Sequence, residues 1–142
     1  MSRFLLIAIF ILIGSPLFAE STSKLICESI SDCQKKSDET QIHRKKISFL
    51  SFAITEYSQG ASFKNLVPLY MNRARATILE ANGDTGYKGD VVLKVSHKPE
   101  YKQTQLTKAE EDLRFLELNQ SSLSKNELAE LLELKALLGQ SK

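Results

Sequence analysis

The sequence has no tryptophan and only two cysteines, two histidines, three prolines and six glycines in 142 residues. So few prolines and glycines exclude collagen-like and low-complexity chains. His43 and His97 each lack a second histidine or a cysteine at ligand spacing, so no metal site is expected. Cys27 and Cys33 are six residues apart, which is not the two-residue gap of a redox pair. Asp84 and Asp90 flank a glycine turn but lack the run of oxygen ligands of a calcium loop. Serine, histidine and aspartate all occur, yet no nucleophile motif frames them. No catalytic residue and no cofactor are therefore expected, and the protein is read as non-enzymatic. A net charge of +2 does not call for a polyanion, so nucleic acid is not an expected partner.

What is present suits one globular unit: 42% hydrophobic and 25% charged residues. Residues 1–19 begin with Met-Ser-Arg, run uncharged from Phe4 to Ile13, break at Gly14-Ser15-Pro16 and reach Ala19. That is the layout of a cleaved signal peptide, and the apolar run is shorter than the roughly 20 residues of a membrane span. Retention as an uncleaved N-terminal anchor is the alternative. The expected product is residues 20–142, exported to a periplasm or secreted, with no stable membrane span after cleavage. Export permits a disulfide between Cys27 and Cys33. On a straight helix the two would point about 120° apart. A bridge therefore requires a bend or a helix end between them, and two packed free thiols remain the other option.

The mature chain reads as helices joined by turns. Ser21-Thr22-Ser23 can cap a helix over 24–33, and 35–40 is polar enough for a turn. Ile47, Leu50, Ile54 and Tyr57 recur at helical spacing within 41–59. A third helix is expected over 67–81, with Pro68 in its first turn, ending at Asn82-Gly83-Asp84-Thr85-Gly86. Residues 87–105 are ambiguous. Val91, Leu93 and Val95 alternate as in a short strand, and Pro99 ends either a strand or a poor helix. Thr107-Lys108-Ala109-Glu110 and Ser124-Lys125-Asn126-Glu127 are capping boxes opening two further helices, the second closed by Gly139. The expectation is an all-α antiparallel array with a short irregular or β insertion near 85–105.

Ala53, Tyr57 and Gly60, followed by Tyr70 and Ala74, carry a further pattern. Small residues alternate with bulky ones at the spacing of a second helix and the next first helix. This text resembles the tetratricopeptide (TPR) repeat, a helix pair of about 34 residues. The likeness covers about a third of the chain. Twelve residues after Ala74, Gly86 falls in a turn, and Asp90 stands where an aromatic belongs. Treating 84–105 as an insertion makes 107–120 the delayed second helix, with Ala109 small but Leu116 larger than expected. Keeping the 34-residue spacing instead makes Val91–Lys98 that helix.

The resemblance implies a short α-solenoid over 20–142 that holds a peptide or partner protein on a concave surface lined by first helices. Met71, Asn72, Arg75 and Ile78 are the positions it turns toward that groove. The ordinary alternative is that Arg73 and Arg75 only solvate a helix. Lys35, Lys36, Arg44, Lys45 and Lys46 make the N-terminal half basic. A structural, envelope-associated protein using that face and the Leu-rich C-terminal helix against membrane or cell wall is the second reading. A small enzyme or ligand carrier built around 87–105 is the third. Leu128, Leu131, Leu132, Leu134, Leu137 and Leu138 make the last helix apolar nearly all round. Burial within the chain or a homodimer through that helix would satisfy it.

Overall fold

The computed structural model describes residues 26–89 and 94–142. The signal segment 1–19 and the Ser21–Ser23 cap lie outside the described residues. Among the described residues there are five α-helices: α1 (Ile30–Glu39), α2 (His43–Tyr57), α3 (Phe63–Ala81), α4 (Pro99–Leu118) and α5 (Lys125–Ser141). A single 3-10 turn at Gln120–Ser122 joins the last two. The fold is all-α. Among the described residues the sole extended pairing is an isolated antiparallel bridge between Asp84 and Lys94.

Consecutive helices alternate in direction. Tyr57 at the end of α2 donates to the Cys27 carbonyl just before α1 (2.8 Å). Arg44 at the start of α2 donates to Glu80 at the end of α3. Arg73 of α3 meets Asp112 of α4, and Tyr101 of α4 meets Glu80. Lys135 of α5 meets Glu117, and Lys142 meets Glu110. The odd-numbered helices therefore run parallel. Arg75 reaches Glu130 and Glu133 of α5, while Asn82 reaches Ser141, so α5 follows the direction of α3.

α3 is buried on two sides. Val67, Met71, Ala74, Ile78 and Ala81 repeat every three to four residues and pack on Leu106, Ala109, Leu113 and Leu116 of α4 and on Leu131, Leu134 and Leu138 of α5. Leu69 packs the other way, with Leu50, Ala53, Cys27 and Cys33. Ala53, Ala74 and Ala109 are fully buried, so each admits a bulkier neighbour. Gly60 does not. It lies beyond the end of α2 at φ +81 with open space around it, so it serves the turn rather than close packing.

Several expected boundaries move. α1 begins at Ile30, capped by Ser29, whose hydroxyl accepts from the Asp32 N–H. Residues 35–39, expected as a turn, belong to it. α3 starts four residues earlier than expected, which places Pro68 inside the helix. Pro99 opens α4 rather than closing a segment, as its fixed φ and missing N–H favour. Thr107–Glu110 is consequently mid-helix, not a cap. The Ser124 capping box is present with both of its hydrogen bonds, and Gly139 lies within α5. Residues 94–98 are non-helical, which excludes a helix over 91–98 at the undelayed repeat spacing. The strand expected around 91–95 falls mostly outside the described residues.

Candidate functional site

Cys27 and Cys33 form a disulfide with Cα atoms 5.2 Å apart. Cys27 precedes the N-cap and Cys33 sits in α1, so the bridge spans the helix start that geometry requires. It anchors the first helix of the array.

α1 and α3 run parallel on either side of a valley marked by a cleft at each end. Its N-terminal end is a cleft of about 640 Å³ whose walls include Ser29 and Gln34 of α1's start, Tyr57 and Gln59, and Lys64, Asn65 and Pro68 of α3. Its C-terminal end is a cleft of about 460 Å³ between Asp38 and Thr40, on one side, and Leu79, Asp84 and Tyr87 on the other. Asn65, Pro68 and Asn72 are three and four residues apart and so share one face of α3. The side chains of Gln34, Gln59, Asn65 and Asn72 make no hydrogen bond with any described residue. A smaller cleft of about 440 Å³ at Lys64, Ser121–Ser124 and Glu127 continues from there toward α5.

The four residues expected in the groove separate. Met71 and Ile78 are 2% and 0% exposed and belong to the core shared with α4 and α5, so neither faces a groove. The expectation failed because α3 turns that face to α5. Arg75 is half-buried and donates to Glu130 and Glu133 at 3.1 Å each, clasping α5 to α3. Asn72 alone lies half-exposed and unpaired on the outward face. Lys64, Asn65 and Pro68 were not singled out in the sequence. The signal was a pair of asparagines, Asn65 and Asn72, flanking Pro68 on the side of α3 away from Met71 and Ile78.

A second polar group sits where residues 82–98 cross the ends of α2 and α3. Glu80 is 1% exposed in an otherwise apolar helix end. Its Oε1 accepts from Arg44 Nε and from the Tyr101 hydroxyl (3.4 Å), and His97 Nε2 lies 3.5 Å away without hydrogen-bond geometry. His43 Nε2 lies 3.6 Å from Asp84. Among the described residues, no three histidine, cysteine or acidic side chains converge on a metal position.

A third group is buried between α2, α3 and α4. Arg73 donates twice to Asp112, at 2.6 and 2.9 Å, and once to Ser51. Burial outweighs the Arg73 guanidinium and raises the Asp112 carboxyl above its ordinary range. Burial likewise raises the Tyr70 phenol, which stacks on Phe115.

Of the basic cluster, Lys35 pairs with Glu39, Lys36 with Asp32 and Arg44 with Glu80. Lys45 and Lys46 form no ion pair with a described residue. On α5, Leu131, Leu134 and Leu138 are buried within the chain, whereas Leu128 and Leu132 are 37% and 60% exposed. No described helix is long and apolar enough to cross a membrane. No family model matches the chain, and no curated protein and no solved structure matches it either.

Proposed function

We propose that this chain is an exported, non-catalytic scaffold of helical-repeat type that holds an extended segment of a partner protein in the valley between α1 and α3. The observation that carries the proposal is the lining of that valley by the amide side chains of Gln34, Gln59 and Asn65, with Asn72 on the same face of α3, none of which has a hydrogen-bond partner among the described residues. An amide side chain offers a donor and an acceptor together, the complement of a peptide backbone. Consecutive helices that alternate in direction, with α3 packed on α5 as well as on α4, support the TPR-like reading. The buried small residues Ala53, Ala74 and Ala109 support it as well. Export is supported by the disulfide, which persists in oxidising compartments.

The test uses the secreted chain as bait in an envelope extract, beside the double variant Asn65→Ala/Asn72→Ala and the control Lys108→Ala on α4. The partner retained by the wild type and by the control should bind the double variant about tenfold more weakly, the size of one or two lost hydrogen bonds. Equal retention by all three proteins excludes the valley as the binding surface.

A further inference from the structure

Leu118 on α4 and Leu132 on α5 are the two most exposed large apolar side chains among the described residues, at 77% and 60%. Between α4 and α5 lies a cleft of about 390 Å³ whose walls include Arg114, Glu117, Lys135 and Gly139. Leu118 is four residues from Arg114, and Leu132 is three from Lys135, so each leucine stands on a lip of that cleft. The ion pairs Lys135–Glu117 and Lys142–Glu110 set the two leucines within about a turn of the same height. Leu128, also exposed, lies one turn before Leu132 on the same face of α5.

One step earlier in the array the corresponding junction is covered. α4 lies over the meeting of α2 and α3, where Arg73 joins Asp112 of α4 to Ser51 of α2, and it runs antiparallel to α3. The junction of α4 and α5 is the next in the series, and no described helix covers it. A helix seated there in the same way would run antiparallel to α5. The N-terminal end of the described chain is at the opposite edge: the Ile26 carbonyl accepts from Lys36 of α1 at 3.1 Å.

We propose that α5 of a second copy of this chain covers the junction, giving a two-fold dimer in which the two α5 helices pair antiparallel and the exposed leucines of both copies leave water. A two-fold axis perpendicular to α5 sets its two copies antiparallel, which is the direction the junction calls for. With the axis beside Leu132, that side chain meets its own copy, Leu128 meets Ala136 and the stem of Lys125 meets Gly139. Ala136 is exposed, and a Cβ at Gly139 would have nothing within 4 Å, so each leaves room for the larger side chain opposite. Identical charges repel across such an axis, but here Leu132 is flanked by Ala129 and Ala136 on the outward face. The charges on the cleft walls are largely matched within one chain, Glu117 by Lys135 and Glu110 by Lys142. A second copy therefore approaches without like-charge opposition at the axis. The valley between α1 and α3 lies on the other side of α3, so the dimer does not depend on what that valley binds.

Sedimentation velocity of the full oxidised chain over a concentration series reads the dimer. The wild type should pass from monomer to dimer as concentration rises. Leu132→Ser should shift the midpoint at least about tenfold toward higher concentration, because the axis makes each lost leucine count twice. Leu118→Ser should shift it in the same direction. Both side chains are exposed in the single chain, so these variants keep the monomer fold. Orientation is read separately by air oxidation with the Cys27–Cys33 bridge intact. Leu132→Cys should form a disulfide-linked dimer, as should Leu128→Cys/Ala136→Cys, whereas Leu128→Cys alone and Lys108→Cys, on the side of α4 facing α2, should not. A wild type that stays monomeric throughout the series overturns the proposal. So does a dimer that neither serine variant weakens, or one that Leu128→Cys links and Leu132→Cys does not.

Discussion

The two sides of α3 are built differently. Toward α4 and α5 it meets an aliphatic core of leucines and alanines, flanked by Tyr70, Phe63 and Phe115. Toward α1 and α2 it meets fewer buried residues: Leu50, Ala53 and the bridged cysteines, with Tyr57 and Phe52 edge to face beside them. α1 is only ten residues long and buries just Cys33 and Ser37, too little apolar area to hold an isolated helix. The disulfide and the Tyr57 hydroxyl supply what the apolar contacts there do not. The contrast shows where each kind of force is needed: area where three long helices meet, a covalent tie where one short helix ends the array.

Cutting into the aliphatic side should have the largest effect. Leu134 is fully buried, and Leu134→Ala should cost about 2–5 kcal/mol of unfolding free energy, measured by urea denaturation. The bridge comes next. Cys27→Ser/Cys33→Ser should cost about 2 kcal/mol, because a short loop constrains the unfolded chain little. Its signature should be local: faster amide exchange in α1, with α4 and α5 unchanged. Equal loosening of α4 would mean that the two sides are not separate units.

The seam between the sides gives a smaller, pH-dependent effect. The Asp112 carboxyl is raised above the ordinary value of 3.8 by burial, so over that window the folded chain binds more protons than the unfolded chain. The contribution of the protonated carboxyl to stability is present below that value and lost as pH rises through the folded one. Asp112→Asn does not titrate. Its stability relative to the wild type should therefore rise as pH increases from below 3.8 into the mildly acidic range. A difference that falls or stays flat would show that Arg73, not burial, controls the site.

Much of this was legible in the residues themselves. The period of Val67, Met71, Ala74 and Ile78 marks the buried face of α3, and Ser124 to Glu127 marks the start of α5. The helix class and the antiparallel order follow from such patterns and from short turns. What misled was local chemistry outvoted by tertiary contact. Thr107 to Glu110 has the text of a cap, but Pro99 starts the helix earlier and Leu106 is already core. Met71 and Ile78 could be assigned to a groove only by analogy, because periodicity says that a face is buried and not which neighbour covers it. Glu80 and His97 look unremarkable at a distance of 17 residues, since only the tertiary structure brings carboxylate and imidazole together.

The proposed binding valley requires α1, α3 and α5 to run parallel, and zero-length carbodiimide cross-linking reads the direction of α5 directly. Lys64 at the start of α3 and Glu127 at the start of α5 line one cleft, so a Lys64–Glu127 cross-link should form in the monomer. A monomer in which Lys135 and Glu117 cross-link but Lys64 and Glu127 do not would contradict the parallel arrangement.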